Sequence, residues 1–444
     1  MKHSQWLTGL GLAISCLAAV AQSNNDTALI QNGAYLARAG DCVACHSARE
    51  GKPFAGGLGI QTPIGTIYST NITPDRNTGI GDYSYADFEQ AVRHGIAKDG
   101  SSLYPAMPYP SYARISDPDV RALYAYFMHG VEPVHQENRA SDIRWPLSMR
   151  WPLTVWRWTF GSEVGEAPAN DDLMLARGAY LVEGLGHCGS CHTPRSITLQ
   201  EKALSPADGP DFLAGGAPLE GWFAKSLRGD HKDGLGNWSE AQLVVFFKTG
   251  RTEQTAVFGS MTEVVKNSLQ YLSDTDRLAM ARYLKSLPAS HAANVPLTDD
   301  GSSYRTLHNG DFSKAGAVLY ANNCMACHRS DGKGYSEVFP GLASNPVLNS
   351  NDATSLISIV LSGATLPGTN AAVTSFTMPA FGWRMKDQEV AEVLSFIRSS
   401  WGNQGEPISA ADVAKVRKNL DPRTLAGDEV PSMEKSGPLP RTAR

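Results

Sequence analysis

The chain has almost no cysteine to spare. Of 444 residues only seven are cysteine. Six of these fall in three short motifs and the seventh, Cys16, lies near the start, so no disulfide framework is open to the rest of the chain. Runs of basic residues are also missing. Lys and Arg number 39 against 44 Asp and Glu, a formal charge of -5 with the signs mixed, which offers no footprint for nucleic acid. No Ser-His-Asp grouping, paired acids or phosphate loop stands out, so nothing in the chain points to substrate chemistry of its own. Gly184-Leu-Gly186-His-Cys-Gly189 has the spacing of a dinucleotide fingerprint. It overlaps a cysteine motif and follows a helical rather than a strand pattern, which excludes that reading. After residue 21 no apolar run approaches the length of a membrane span, so a soluble or peripherally attached chain is expected.

What the chain does have is one motif three times: Cys42-Val-Ala-Cys45-His46, Cys188-Gly-Ser-Cys191-His192 and Cys324-Met-Ala-Cys327-His328. On a helix, residues three apart share a face, so two thiols at this spacing reach the two vinyl groups along one haem edge. The histidine that follows then lies under the ring as the proximal iron ligand. A single copy is also compatible with half of a zinc site. Three copies, each followed by a domain-sized run of chain, predict three covalently bound haem c groups.

The haem-binding reading fits the rest of the chain. Residues 1–21 resemble an export signal, with Lys2, an apolar core from Leu7 to Val20 and the small residues Ala19-Val20-Ala21 at the cleavage point. Cys16 leaves with it, and the remaining cysteines all belong to the motifs. Gly33, Gly178 and Gly316 precede the three motifs at nearly equal offsets, each with an aromatic close by: Tyr35, Tyr180 and Tyr320. A glycine so placed lets a second helix cross closely. Those second helices are signalled by caps and apolar stripes opening at Ser116-Asp117-Pro118-Asp119, Ser273-Asp274 and Asp387. A repeat supports the division, since Gly79 to Gly95 aligns without a gap on Gly234 to Gly250. The expected fold is mainly α, with three tandem cytochrome c-like haem domains at 28–134, 173–290 and 312–402. Between them lie a Trp/Arg-rich linker at 135–172 and a polar linker at 291–311. A polar tail, largely disordered, is expected over 403–444, with one weak amphipathic turn at Val413, Val416 and Leu420.

Two further features bear on function. An iron with one histidine has a sixth position, and a methionine there raises the potential and excludes outside ligands. Met107, Met261 and Met378 each sit a short loop ahead of the second helix, and proline follows the first and third. They are the expected sixth ligands, with Met280 as a competitor to Met261. Pro340 is a candidate to offer its carbonyl to the His328 imidazole, or else a plain turn proline. The first linker carries Trp145, Trp151, Trp156 and Trp158 with Arg144, Arg150 and Arg157 between them. That mixture suits a membrane surface or a partner, or a strap whose rings are buried on its own domains.

With these motifs the chain resembles the triheme cytochrome c subunit of membrane-associated bacterial dehydrogenases, the group serving gluconate 2-dehydrogenase and the quinoprotein alcohol dehydrogenases. The likeness runs over residues 28–402. It rests on the three haem motifs, Ile64-Gly-Thr-Ile-Tyr-Ser-Thr-Asn-Ile-Thr-Pro74, Leu103-Tyr-Pro-Ala-Met-Pro-Tyr109, Trp145-Pro-Leu-Ser-Met-Arg-Trp-Pro152 and Met378-Pro-Ala-Phe-Gly-Trp383. The wording of Asp82-Tyr-Ser-Tyr and of the tryptophan stretch is most similar to the gluconate type. The resemblance implies an electron-transfer subunit at the periplasmic face of the inner membrane. A separate catalytic dehydrogenase subunit, a flavoprotein in the gluconate type or a quinoprotein in the alternative, would supply electrons for delivery to ubiquinone. A haem peroxidase, with an iron open on one side, is the competing class, and the second haem is where it would show.

Overall fold

The computed structural model describes residues 26–165, 171–217, 221–290, 295–421 and 425. The expected signal at 1–21 lies outside them. The described chain is mainly helical. Its strands form a small antiparallel sheet of Gly59–Thr62, Gly65–Tyr68 and Asp142–Ile143, and a two-stranded ladder of Ala364–Thr365 with Thr377–Met378.

Local sequence accounts for most of the helices. Ser84 and Ser239 close capping boxes with Asp87 and Gln242 at the starts of Tyr85–His94 and Glu240–Thr249. Both helices stop at a glycine in the left-handed region, Gly95 and Gly250. Ser116 and Ser273 accept from the backbone of Asp119 and Asp276 at the starts of Asp117–His129 and Asp274–Ser286. The third counterpart, Asp387–Arg398, is opened by Glu389 folding back onto the Lys386 amide at 2.8 Å.

The three expected crossings are present. A Cβ on Gly33 would collide with the Ala122 carbonyl, one on Gly178 with the Ala279 carbonyl, and one on Gly316 with the Glu392 carbonyl. Each helix ahead of a motif, over 26–39, Leu173–Ala179 and Ala317–Asn323, therefore lies backbone to backbone against a later helix of its own region. Around the third crossing, Tyr320 is fully buried with its ring centroid 5.0 Å from Trp401 and 5.7 Å from Phe396.

The chain forms two compact units. One comprises the described residues up to Tyr109 and those of Ile115–Gly165. The other holds the described residues from 171 to 425 together with Pro110–Arg114. The second and third motifs thus share a unit, and the described residues of each expected linker pack within the unit that holds them. In the first unit Gln136 and Asn138 satisfy backbone groups of Ala55, Asn71 and Thr78, and Gly65 pairs with Ile143. In the second, Ser302–His308 places Leu307 in the core around Tyr320.

The tail expectation is corrected for residues 403–421. Ser409 caps a helix over Ala410–Arg417, Val413 is fully buried and Ile408 nearly so, and Val416, Leu420 and Leu425 pack on the same core. Arg417 fastens the helix by bonds to Asp387 Oδ1 (2.7 Å), Gly382 O (2.6 Å) and Met385 O (2.8 Å). Residues 426–444 lie outside the described chain.

The Gly178 crossing makes a direct prediction. Gly178→Val should cost about 1–3 kcal/mol through overpacking against Ala279 and Tyr283, read as a lower midpoint in denaturant unfolding of the haem-loaded protein.

Candidate haem-attachment sites

Each motif occupies a single helical turn. Cys42–Cys45, Gly189–His192 and Met325–His328 are four-residue helices that bring two thiols and an imidazole onto one stretch of backbone. The turns are set by their neighbours. Asp41 and His187, each just ahead of a first cysteine, take left-handed backbone with φ 48° and 39°, and Arg329 does so just after His328 with φ 63°. Non-glycine residues accept that conformation seldom, so the turn is imposed by its surroundings. The second motif is further set off by a π-helical stretch, Tyr180–Leu185.

The three histidines share one device. The Nδ1 of His46 meets Thr70 O at 2.8 Å, that of His192 meets Lys225 O at 2.7 Å, and that of His328 meets Pro340 O at 2.9 Å. An imidazole that donates from Nδ1 to a carbonyl has a fixed ring plane and keeps Nε2 bare as a metal ligand. Loss of water around the rings pushes all three pKa values down, against the opposing pull of the carbonyl, and His192 falls to about 4. Neutral imidazole is the form that binds iron.

The cysteines fit the same group. None of the six is in a disulfide. Burial pushes Cys42, Cys188 and Cys324 up to about 12, which keeps them as thiols in an apolar setting. Among the described residues no three His, Cys, Asp or Glu side chains gather as a metal site. Paired thiols with one bare imidazole nitrogen suit covalently attached haem c, which supplies one-electron exchange when bound.

The methionines follow a common plan in the backbone. The residue after each helix-ending glycine forms an antiparallel bridge: Ile96 with Ser102, Arg251 with Ala256 and Ala364 with Met378. Met107 and Met261 follow their bridges at the same distance along the chain, Met107 in a turn closed by Tyr109 N to Met107 O at 2.8 Å, Met261 as the first residue of Met261–Asn267. Both are half-buried. Met280 is 4% exposed inside Asp274–Ser286, beside the Ala279 carbonyl that faces Gly178. Met378 is half-buried and packs with Cys324 and Met325 on the core around Tyr320.

Of the three histidine partners, the sequence pointed only to Pro340. Thr70 and Lys225 contribute backbone carbonyls, which any residue supplies, so no signal marked them. Lys225 also sets its Nζ 4.8 Å from the centre of the Trp238 ring, where burial pulls its pKa down to about 8.

The geometry defines a c-type cytochrome, and comparison with known proteins agrees. Residues 313–401 match the family model described as cytochrome c. Over 418 residues the chain is 58% identical to the gluconate 2-dehydrogenase cytochrome c subunit of Pantoea cypripedii, covering 93% of this chain and 95% of that one. It is 51% identical to the cytochrome c subunit of the quinone alcohol dehydrogenase of Gluconacetobacter polyoxogenes, covering 94% and 90%. The fructose dehydrogenase cytochrome subunit of Gluconobacter japonicus is 37% identical over 92% and 85%. The chain belongs to this family of dehydrogenase cytochrome c subunits, and its work is electron transfer.

Replacing Cys324 and Cys327 together by Ala should reduce covalently bound haem by one per chain in a pyridine haemochrome assay, with the remaining haem still attached.

Proposed function

We propose that the chain is a triheme subunit with three tandem cytochrome c-like regions. Each holds haem c through its cysteine pair and ligates iron with His46 and Met107, His192 and Met261, or His328 and Met378. The observation that carries the reading is the threefold latch of histidine Nδ1 on a backbone carbonyl, at 2.7–2.9 Å in every copy. The equal spacing of Met107 and Met261 from the ends of their bridges favours Met261 over Met280. A thioether in the sixth position excludes external ligands and favours the reduced iron, as a carrier requires. This argues against the peroxidase class.

The partner is a catalytic dehydrogenase subunit. The extent of the likeness to the gluconate 2-dehydrogenase subunit favours a flavoprotein oxidising gluconate or a related sugar acid, with a quinoprotein alcohol dehydrogenase as the second choice. The subunit accepts electrons from that partner and passes them to ubiquinone. It works after export, on the periplasmic face of the inner membrane.

Peripheral attachment rests on the tryptophan segment. Among the described residues no helix is long and apolar enough to cross a membrane. Trp151–Phe160 turns Trp156 inward, 6.2 Å from the Tyr109 ring, while Arg150 lies 4.3 Å over Tyr104 and bonds to Ser102 O. Trp151 and Trp158 face outward at 67% and 74% exposure, joined by Trp145, Leu147 and Val155. Indole beside arginine matches the lipid headgroup level, where one side is apolar and the other wet. A strap with all rings buried, the other expectation, is not what forms: Trp156 is half-buried and Trp145, Trp151 and Trp158 are exposed.

Two experiments test these readings. The purified chain should oxidise neither gluconate nor ethanol alone, and should mediate reduction of a ubiquinone analogue when its dehydrogenase partner is added; turnover without the partner would overturn the assignment. Trp151→Ser combined with Trp158→Ser should weaken binding to anionic phospholipid vesicles by about tenfold or more, since each large apolar side chain contributes about 1.5–3 kcal/mol when fully buried. Haem content should be unchanged. Trp156→Ser should instead lower stability.

A further inference from the structure

Arg251 is 4% exposed and stands just after Gly250, at the end of the helix Glu240–Thr249. Its guanidinium bonds only to main-chain carbonyls. Nη2 donates to Thr374 O at 2.7 Å, Ala372 O at 3.3 Å and Pro367 O at 3.4 Å, and Nη1 donates to Glu337 O at 3.2 Å. Among the described residues Nε meets no partner. A buried cation is held here by oriented carbonyl dipoles, and in return it fixes the loops those carbonyls belong to.

The two loops carry the two sides of the third site. Pro367, Ala372 and Thr374 lie in the hairpin that begins at Ala364–Thr365 and returns through Thr377–Met378, closed by Leu366 N to Phe376 O at 2.9 Å. Its outer edge is open to solvent at Val373, 78% exposed, while Thr369 at the turn is buried on the side of the guanidinium's carbonyl partners. A second tie comes from the same side, Asn370 N to Gln270 Oε1 at 2.9 Å. Glu337 lies in the Tyr335–Phe339 bridge, immediately ahead of Pro340, whose carbonyl takes His328 Nδ1. The loops also touch each other through Phe339 and Phe376, with ring centroids 6.0 Å apart and the guanidinium carbon 5.5 Å from the Phe376 ring.

The turn does not itself need an arginine. In the aligned repeat the same position is Ile96, which makes the equivalent bridge to Ser102.

We propose that Arg251, contributed by the region of the second motif, is a positioning residue for the third iron: it sets the hairpin ending at Met378 and the loop ending at Pro340, and so fixes the sixth ligand and the proximal imidazole together. The inference rests on Met378 being the sixth ligand. It ties the ligand geometry of one redox centre to the body that carries its neighbour.

The test uses the full haem-loaded chain in four forms: unmodified, Arg251→Gln, Arg251→Lys and Met378→Ala. The readouts are haem content, the thioether-to-iron charge-transfer absorption, cyanide binding and the potentials from a spectroelectrochemical titration. Arg251→Gln should keep all its haem yet lower one potential, diminish the thioether band by up to a third and speed cyanide binding at that one centre. Met378→Ala should affect the same centre completely. Arg251→Lys should lie between, because an ammonium cannot span both loops. Unchanged potentials and spectra in Arg251→Gln, beside an altered Met378→Ala, overturn the positioning role alone. An unaltered Met378→Ala overturns the ligand assignment beneath it. If Arg251→Gln does not retain its haem, Arg251→Lys decides: a selective shift at the Met378 centre supports the role, and wild-type spectra with wild-type potentials overturn it.

Discussion

The structure depends on contacts so close that only glycine permits them. At Gly33, Gly178 and Gly316 the helix ahead of a motif meets a carbonyl of a later helix where a Cβ would stand. The crossing fixes the direction of the motif-bearing turn, and that turn sets two thiols and an imidazole side by side. The second constraint is electrostatic: each imidazole spends Nδ1 on a carbonyl and presents Nε2. Steric contact aims the turn, and the hydrogen bond aims the ring.

Much of this was legible because it is local. Ser116 and Ser273 cap helices where the sequence placed them, and in the aligned repeat Ser84 and Ser239 do the same with Gly95 and Gly250 as the stops, because capping depends on a few neighbouring residues. The Pro340 contact was foreseeable from a proline at the right distance. Thr70 and Lys225 were not, since a carbonyl carries no side-chain signature. The role of Arg251 was hidden for a related reason: an arginine that bonds four carbonyls from distant loops looks, in sequence, like any surface arginine.

The errors lay where weak local patterns draw on a distant core. Val413, Val416 and Leu420 are too few to hold a helix alone, and residues 403–421 were expected to be loose. The core around Tyr320 and Trp401 supplies the missing apolar surface. The tryptophan segment is a mixed case. Its sequence offered an exposed face or a buried strap, and the helix lies between them, with Trp156 half-buried against Tyr109 and its neighbours turned outward. This strap bears on the Ser102 to Tyr109 stretch that contains Met107, so its exposed face and the Met107 loop share a support in the first unit.

The clasp made by Arg417 has a consequence for the order of events in biosynthesis. Domains generally fold as units, the N-terminal ones first, and the earlier crossings need nothing beyond Arg398 in order to close. The core around Tyr320 lacks Val413 and the ties to Asp387, Gly382 and Met385 until the segment beyond Arg398 is in place. A chain cut short after Arg398 leaves the core around Tyr320 incomplete, while the Gly33 and Gly178 crossings keep all their partners.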